Sequence, residues 1–96
     1  MFMEIIEKIF GKEFKVIKDA FDKELKQIEK DHMDFFESRE PKYPNDKHDR
    51  LHNHYMFHYD GVTVKFGFEN DSAVPVGIID KCLAAFEKHF KIKNKS

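Results

Sequence analysis

The sequence contains a single cysteine, Cys82, and no tryptophan. A lone cysteine excludes an intrachain disulfide, as is usual for proteins of a reducing compartment. No apolar run approaches the about 20 residues that a membrane-spanning helix needs. The first residues also lack the basic segment and apolar run of a secretory signal. These absences predict a soluble cytoplasmic protein.

Motifs that mark common enzyme classes are missing as well. The four glycines are dispersed, so there is no glycine-rich phosphate-binding loop. Ser38 and Ser72 have no histidine and acid at a recognisable spacing. Cys82 falls on the apolar stripe of a predicted helix, where a buried structural thiol is expected and a nucleophile is not. The sequence therefore predicts a protein that is not an enzyme.

The length and the net charge limit the number of domains and the classes of binding partner. The 96 residues predict one domain over 1–96, and eleven phenylalanines supply apolar area for its core. The formal net charge of −1 gives no general attraction to nucleic acid or to a membrane surface, so neither is expected as a partner. Lysines are frequent near the C-terminus, where residues 92–96 are predicted to form a frayed basic tail.

An apolar stripe with helical spacing predicts a long N-terminal helix from about residue 13 to residue 38, with a break or kink near Gly11. Pairs of opposite charge four residues apart, such as Asp22 and Lys26, are expected to support this helix. The stripe consists of Ile6, Phe10, Phe14, Ile17, Phe21, Leu25, Ile28, His32 and Phe35.

After an irregular loop over residues 41–50, which contains two prolines, the apolar pattern changes from helical to alternating. Asp60-Gly61 between two alternating runs predicts an antiparallel β-hairpin with a two-residue turn. An amphipathic stretch near the end predicts a C-terminal helix, so the expected fold class is α+β. The turn implies that Tyr59 faces Val62, Phe57 faces Val64 and Tyr55 faces Phe66.

A hairpin alone is an incomplete sheet, because two strands are marginally stable in water and both of their edges are open. The apolar stripe of the long helix is also longer than a five-residue strand can cover. Both features indicate a second chain or a further strand, and we predict a homodimer joined through the long helix or a strand edge. The alternative is a monomer in which a short first helix folds back over the long one.

Contact with another protein is the function that this profile favours. Small charged domains of this kind include inhibitors, immunity-type proteins and antagonists encoded by mobile elements. We predict a protein-binding surface on the loop and on the polar side of the hairpin, because Tyr and Arg often dominate interface energies. This surface comprises Tyr43, Lys47, His48, Arg50, His52, His54, His58 and Lys65.

A histidine cluster supports an alternative function. Four of the six histidines fall in the segment 48–58, and neutral imidazole is a common ligand of zinc and copper. The alternative is therefore a transition-metal-binding module (Zn or Cu), whereas the protein-binding interpretation requires no cofactor. The predicted ligands are His52, His54, His58 and Glu69, with Glu69 opposite His52 in the expected register.

Overall fold

In the computed structural model, residues 2–6, 11–41, 43–69 and 72–90 are described. Their order of elements is β1 (Phe2–Ile6), α1 (Gly11–Asp31), α2 (Met33–Glu37), a 3₁₀ turn (Leu51–Asn53), β2 (Tyr55–Tyr59), β3 (Thr63–Phe68) and α3 (Val76–Phe90). A helical N-terminal half, an antiparallel hairpin and a C-terminal helix confirm the predicted α+β class. The predicted frayed tail over 92–96 lies outside the described residues.

The N-terminus differs from the helical prediction, because residues 2–6 form a strand. β1 pairs antiparallel with β3, and the sheet has the strand order β1-β3-β2. Ile6, which the sequence assigns to the helical stripe, is paired with Thr63 in this sheet. The further strand that the incomplete hairpin indicated is therefore present in this chain. Phe10, the next member of the predicted stripe, lies outside the described residues.

The predicted long helix is two helices, because the chain leaves helical geometry at His32. The backbone of His32 has φ −121° and ψ 31°, which is not helical. Its N–H donates to the carbonyl of Glu29 three residues earlier, at 3.1 Å, so the regular i→i−4 pattern stops there. The second helix, α2, then carries Phe36 into the core. The predicted break near Gly11 agrees with the start of α1, which begins at that residue.

The predicted hairpin is present, but its two central turn residues are Gly61 and Val62 in place of Asp60 and Gly61, and the register is therefore displaced by two residues. The facing pairs are Tyr59 with Val64, Phe57 with Phe66 and Tyr55 with Phe68. The cause is the turn, in which Gly61 takes φ 95° and Asp60 Oδ1 accepts the N–H groups of Val62 and Thr63 at 2.9 and 2.7 Å. Gly61 and Val62 are thus the two central residues, with glycine where a type II′ turn favours it.

α1 and α3 pack together against one face of the sheet, and Phe21 lies where they meet. Phe21 is completely buried, and its ring centroid lies 5.1 Å from Phe66, 5.8 Å from Phe86 and 5.5 Å from Phe90. Edge-to-face contacts of this kind add to the free energy of apolar burial. Because a displacement of two residues keeps every side chain on its predicted face, the aromatic residues of the hairpin still face this core.

The opposite face of β2 and β3 is open to solvent. Met56 is 56% exposed, and His58 and Lys65 are also exposed. His58 lies directly opposite Lys65 in the ladder. Along β2, the exposed Met56 and His58 alternate with half-buried aromatic residues, as the period of two requires. The polar side of the hairpin is thus accessible where the sequence predicts it.

Candidate functional site

The irregular loop is held to α1 by Glu29. This carboxylate is only 7% exposed, although it belongs to a charged helix. Its Oε2 accepts from Arg50 Nε at 2.9 Å and from the Leu51 N–H at 3.0 Å, and its Oε1 accepts from Arg50 Nη2 at 3.2 Å. Burial raises the pKa of Glu29, but the bonds from Arg50 and Leu51 outweigh that effect and lower it overall. The loop is therefore fixed at Arg50 and Leu51.

A second buried carboxylate, Asp49, holds the other side of the loop. Asp49 is 3% exposed. Its Oδ2 accepts from Arg39 Nε at 3.1 Å, and its Oδ1 accepts from the Arg50 N–H at 3.0 Å. Burial raises the pKa of Asp49, yet the bonds from His54 and Arg39 lower it overall. Asp49 is thus an ionised acceptor at neutral pH.

The surface between α1 and the 3₁₀ turn forms an open cleft, which we call the basic cleft. Its cavity volume is about 280 Å³. It is lined by Lys18, Asp22, Leu25, Lys26, Glu29, Arg50, Leu51, His52 and Tyr55. Burial raises the pKa of Tyr55 to about 12, so its hydroxyl stays protonated and can donate a hydrogen bond at neutral pH.

Some charged side chains of the basic cleft form ion pairs with each other, and others do not. Lys18 Nζ donates to both carboxylate oxygens of Asp22, at 3.0 and 2.9 Å. Asp22 therefore pairs with Lys18, whereas the sequence suggests a pair with Lys26. Glu29 is likewise paired with Arg50. The side chain of Lys26 forms no hydrogen bond or ion pair with another described residue, and His52 forms none either, although its charge acts at longer range on Glu29 and lowers the pKa of that carboxyl. Both acids of the cleft are neutralised by its own cations, and donors remain for an external anion.

A second polar cluster links the loop to the segment before α3. His54 Nε2 lies 2.7 Å from Asp49 Oδ2, and His54 Nδ1 lies 3.2 Å from Ser72 Oγ. The His54 side chain is 13% exposed. The cluster lines a cavity of about 290 Å³ together with Arg39, Glu40, Glu69 and Ala73. An acid, a histidine and a serine are therefore joined in one chain of hydrogen bonds.

The predicted binding residues lie in four places. Arg50 and His52 line the basic cleft, whereas His54 is enclosed in the second cluster. Tyr43 is 54% exposed on the loop, where Lys47 is also exposed. His48 lies in the same loop, where it is half-buried and donates from Nδ1 to the carbonyl of Asp49 at 2.7 Å, while His58 and Lys65 lie on the open sheet face.

The alternative metal ligands are also spread over the surface. His52 lies in the 3₁₀ turn and His54 directly follows that turn, so neither residue is on β2. Glu69 is next to His54, since its N–H donates to the His54 carbonyl at 3.4 Å, and not opposite His52. Within the described ranges, no group of three or more His, Cys, Asp or Glu residues is arranged to hold a metal ion. Zinc or copper binding stays a prediction, which titration calorimetry with each ion tests.

Sequence reasoning missed the residues that organise both sites. Glu29 and Asp49 resemble ordinary surface acids in the sequence, and the arginine side chains that pair with them are 21 and 10 residues away. The sequence pairs Lys26 with Asp22, whereas the structure pairs Asp22 with Lys18. Ser72 and His54 are 18 residues apart, so no spacing rule joins them. No local pattern in the sequence marks either cluster, because their members meet only in the folded chain.

Cys82 is completely buried in α3, as the sequence predicts, and burial raises the pKa of its thiol to about 12.

Among the described residues, no helix is long and apolar enough to cross a membrane. No protein-family model, curated protein or solved structure matches this chain.

Proposed function

We propose that the protein acts by binding another protein, and that an acidic segment of this partner enters the basic cleft. The observation that carries the proposal is the set of donors in the cleft. Lys26, His52 and the Tyr55 hydroxyl line one cavity of about 280 Å³, while both acids of that cavity are already paired. An acidic side chain offers the complementary charge and two acceptor oxygens.

The rigidity of the loop also supports a binding role. Arg50 is held bidentately by Glu29, so its guanidinium has a defined position before any partner arrives. A preorganised surface loses less conformational entropy on association than a mobile one. Tyr43, exposed in the same loop, supplies an aromatic residue of the type that often anchors an interface. We propose antagonism as the biological role, in the manner of an inhibitor, an immunity-type protein or a mobile-element-encoded antagonist.

A peptide measurement tests the cleft directly. The probe is a fluorescein-labelled peptide of ten glutamates, and its affinity is read from fluorescence anisotropy at low and moderate salt. The double variant Lys26→Glu/His52→Ala is expected to weaken binding by at least about tenfold, equivalent to about 1.4 kcal/mol. Lys23→Glu is the matched control, because Lys23 is exposed on the same helix and does not line the cleft.

Two results would contradict the proposal. One is an affinity weaker than about 1 mM at low salt, where charge attraction is least screened. The other is an equal loss of affinity in the cleft variant and the Lys23→Glu control, which would mean that only net charge matters. Affinity purification of cellular partners with the same three proteins then asks whether a captured partner depends on the cleft.

A homodimer remains part of the proposal, joined through a strand edge, which is one of the two geometries that the sequence suggests. β1 occupies one edge of the hairpin, and within the described residues no strand pairs with the outer edge of β2. A second copy would add along Tyr55–Tyr59, because an open strand edge is a template for pairing. Sedimentation at micromolar concentration tests it: a single species at the chain mass of 11.5 kDa contradicts the dimer.

A further inference from the structure

We propose that Ser72 is a nucleophile activated by His54, in a site for acyl transfer that is separate from the basic cleft. Ser72 Oγ lies 3.2 Å from His54 Nδ1, and His54 Nε2 lies 2.7 Å from the buried carboxylate of Asp49. The two cavities share no lining residue. This inference therefore goes beyond the proposed binding function and does not depend on it.

The hydrogen-bond pattern fixes the direction of proton transfer. The Asp49 carboxylate already accepts from Arg39 and from the Arg50 N–H, and an ionised carboxylate can only accept. His54 must therefore donate from Nε2 to Asp49. In the neutral imidazole the other nitrogen, Nδ1, is then an acceptor and receives the Ser72 hydroxyl proton. A serine hydroxyl that donates to a histidine held by a buried acid is the arrangement that activates a nucleophile, here with the two ring nitrogens exchanged relative to the serine-protease triad and with Ser72 Oγ also accepting from the Val74 N–H at 3.2 Å.

The surroundings of Ser72 indicate the substrate. The cavity of about 290 Å³ has room for a small acyl group beside the hydroxyl. Arg39 is the cation among its lining residues, and it uses Nε for Asp49 while a guanidinium has five N–H donors in total. The remaining donors can stabilise an oxyanion. Glu40 and Glu69, both exposed at this cavity, repel anionic groups, so a neutral or cationic carboxylic ester is the substrate class.

The reaction is balanced with water as the only co-reactant. Ser72 Oγ attacks the ester carbonyl while its proton passes to His54 Nδ1. The bond from the acyl carbon to the alcohol oxygen breaks, and the alcohol leaves with that proton. Water then attacks the acyl-serine, giving up a proton to His54 Nδ1. The carboxylic acid is released, and the proton returns to Ser72.

A neutral biotinylated alkyl fluorophosphonate tests the proposal, because it forms a stable Oγ–phosphorus bond and releases fluoride. Intact-mass spectrometry measures the fraction labelled, and peptide mapping locates the adduct. The wild-type protein is expected to carry one adduct, on Ser72. Ser72→Ala is expected to abolish labelling. Ser38→Ala is the matched control and is expected to label normally, because Ser38 is exposed and donates to the Phe35 carbonyl at 2.8 Å.

The variant His54→Gln shows whether Ser72 is labelled because His54 activates its hydroxyl or only because the hydroxyl is accessible. General-base assistance contributes about 100-fold or more, so the labelling rate should fall by about that factor in protein whose circular dichroism spectrum is unchanged. The proposal is overturned if wild-type protein is not labelled or if the adduct maps elsewhere. It is also overturned if folded His54→Gln labels Ser72 at the wild-type rate. Mapping the adduct on wild-type protein keeps the test decisive even where a variant fails to fold.

Discussion

Replacing Glu29 with alanine is expected to destabilise the protein far more than replacing an exposed helical acid. Glu29 is 7% exposed and accepts three hydrogen bonds, two from Arg50 and one from the Leu51 N–H. Removal of the carboxylate leaves the Leu51 N–H without its acceptor in a buried position. It also leaves Arg50 without its counter-ion, although the Arg50 side chain is 38% exposed and regains water.

The magnitude follows from these two losses. An unsatisfied buried N–H costs about 1–3 kcal/mol. The ion pair contributes less than a fully buried one because solvent screens Arg50, so its loss should cost about 1 kcal/mol of unfolding free energy. The free energy of unfolding should therefore fall by about 2–4 kcal/mol. Glu29→Gln retains an oxygen that can accept the Leu51 N–H, and we expect it to lose about 1–2 kcal/mol.

Urea denaturation followed by circular dichroism measures both variants, and the difference between them isolates the Leu51 N–H. Glu37→Ala is the matched control, since Glu37 is exposed and also lies on a helix. A loss below about 0.5 kcal/mol for Glu29→Ala, as is usual for a surface substitution, would refute the role of Glu29 in holding the loop. Equal losses for the alanine and glutamine variants would refute the contribution of the Leu51 N–H.

Three further predictions concern the core and its titrating groups. Phe21→Ala should lower the free energy of unfolding by about 3–5 kcal/mol in urea denaturation, because Phe21 is completely buried. The folded-state pKa values of Glu29 and Asp49 are lowered, so their stabilisation is present above the unfolded values near pH 4 and is lost as the pH falls through the folded values, which acid titration of the unfolding midpoint checks. Native Cys82 should resist a thiol reagent at pH 8 and react fully in denaturant, because it is buried with a pKa of about 12.

The parts of the fold that periodicity controls were predictable from the sequence. The alternating aromatic residues of the hairpin and the stripe of α3 identify the core face, because each pattern has the period of its element. The displaced register did not disturb that assignment, since a shift of two residues preserves the face. The break at His32 was not predictable, because the apolar stripe continues through it to Phe35.

β1 and the two polar clusters depend on contacts that are distant in the sequence. The strand Phe2–Ile6 exists through pairing with β3, about sixty residues later, and its apolar residues fit a helical spacing equally well. Glu29, Asp49 and Ser72 are defined by partners that the fold brings to them. Local patterns report none of this, because they do not encode which loop lies over which helix.

The most direct test of the proposed binding function is an NMR titration that locates the bound segment. Amide shifts of ¹⁵N-labelled protein are followed while the unlabelled ten-glutamate peptide is added. We predict saturable shifts centred on Lys26, Arg50 and His52, the residues of the basic cleft. Shifts centred on His58 and Lys65 of the open sheet face, or no saturable shifts at millimolar peptide, would contradict the account.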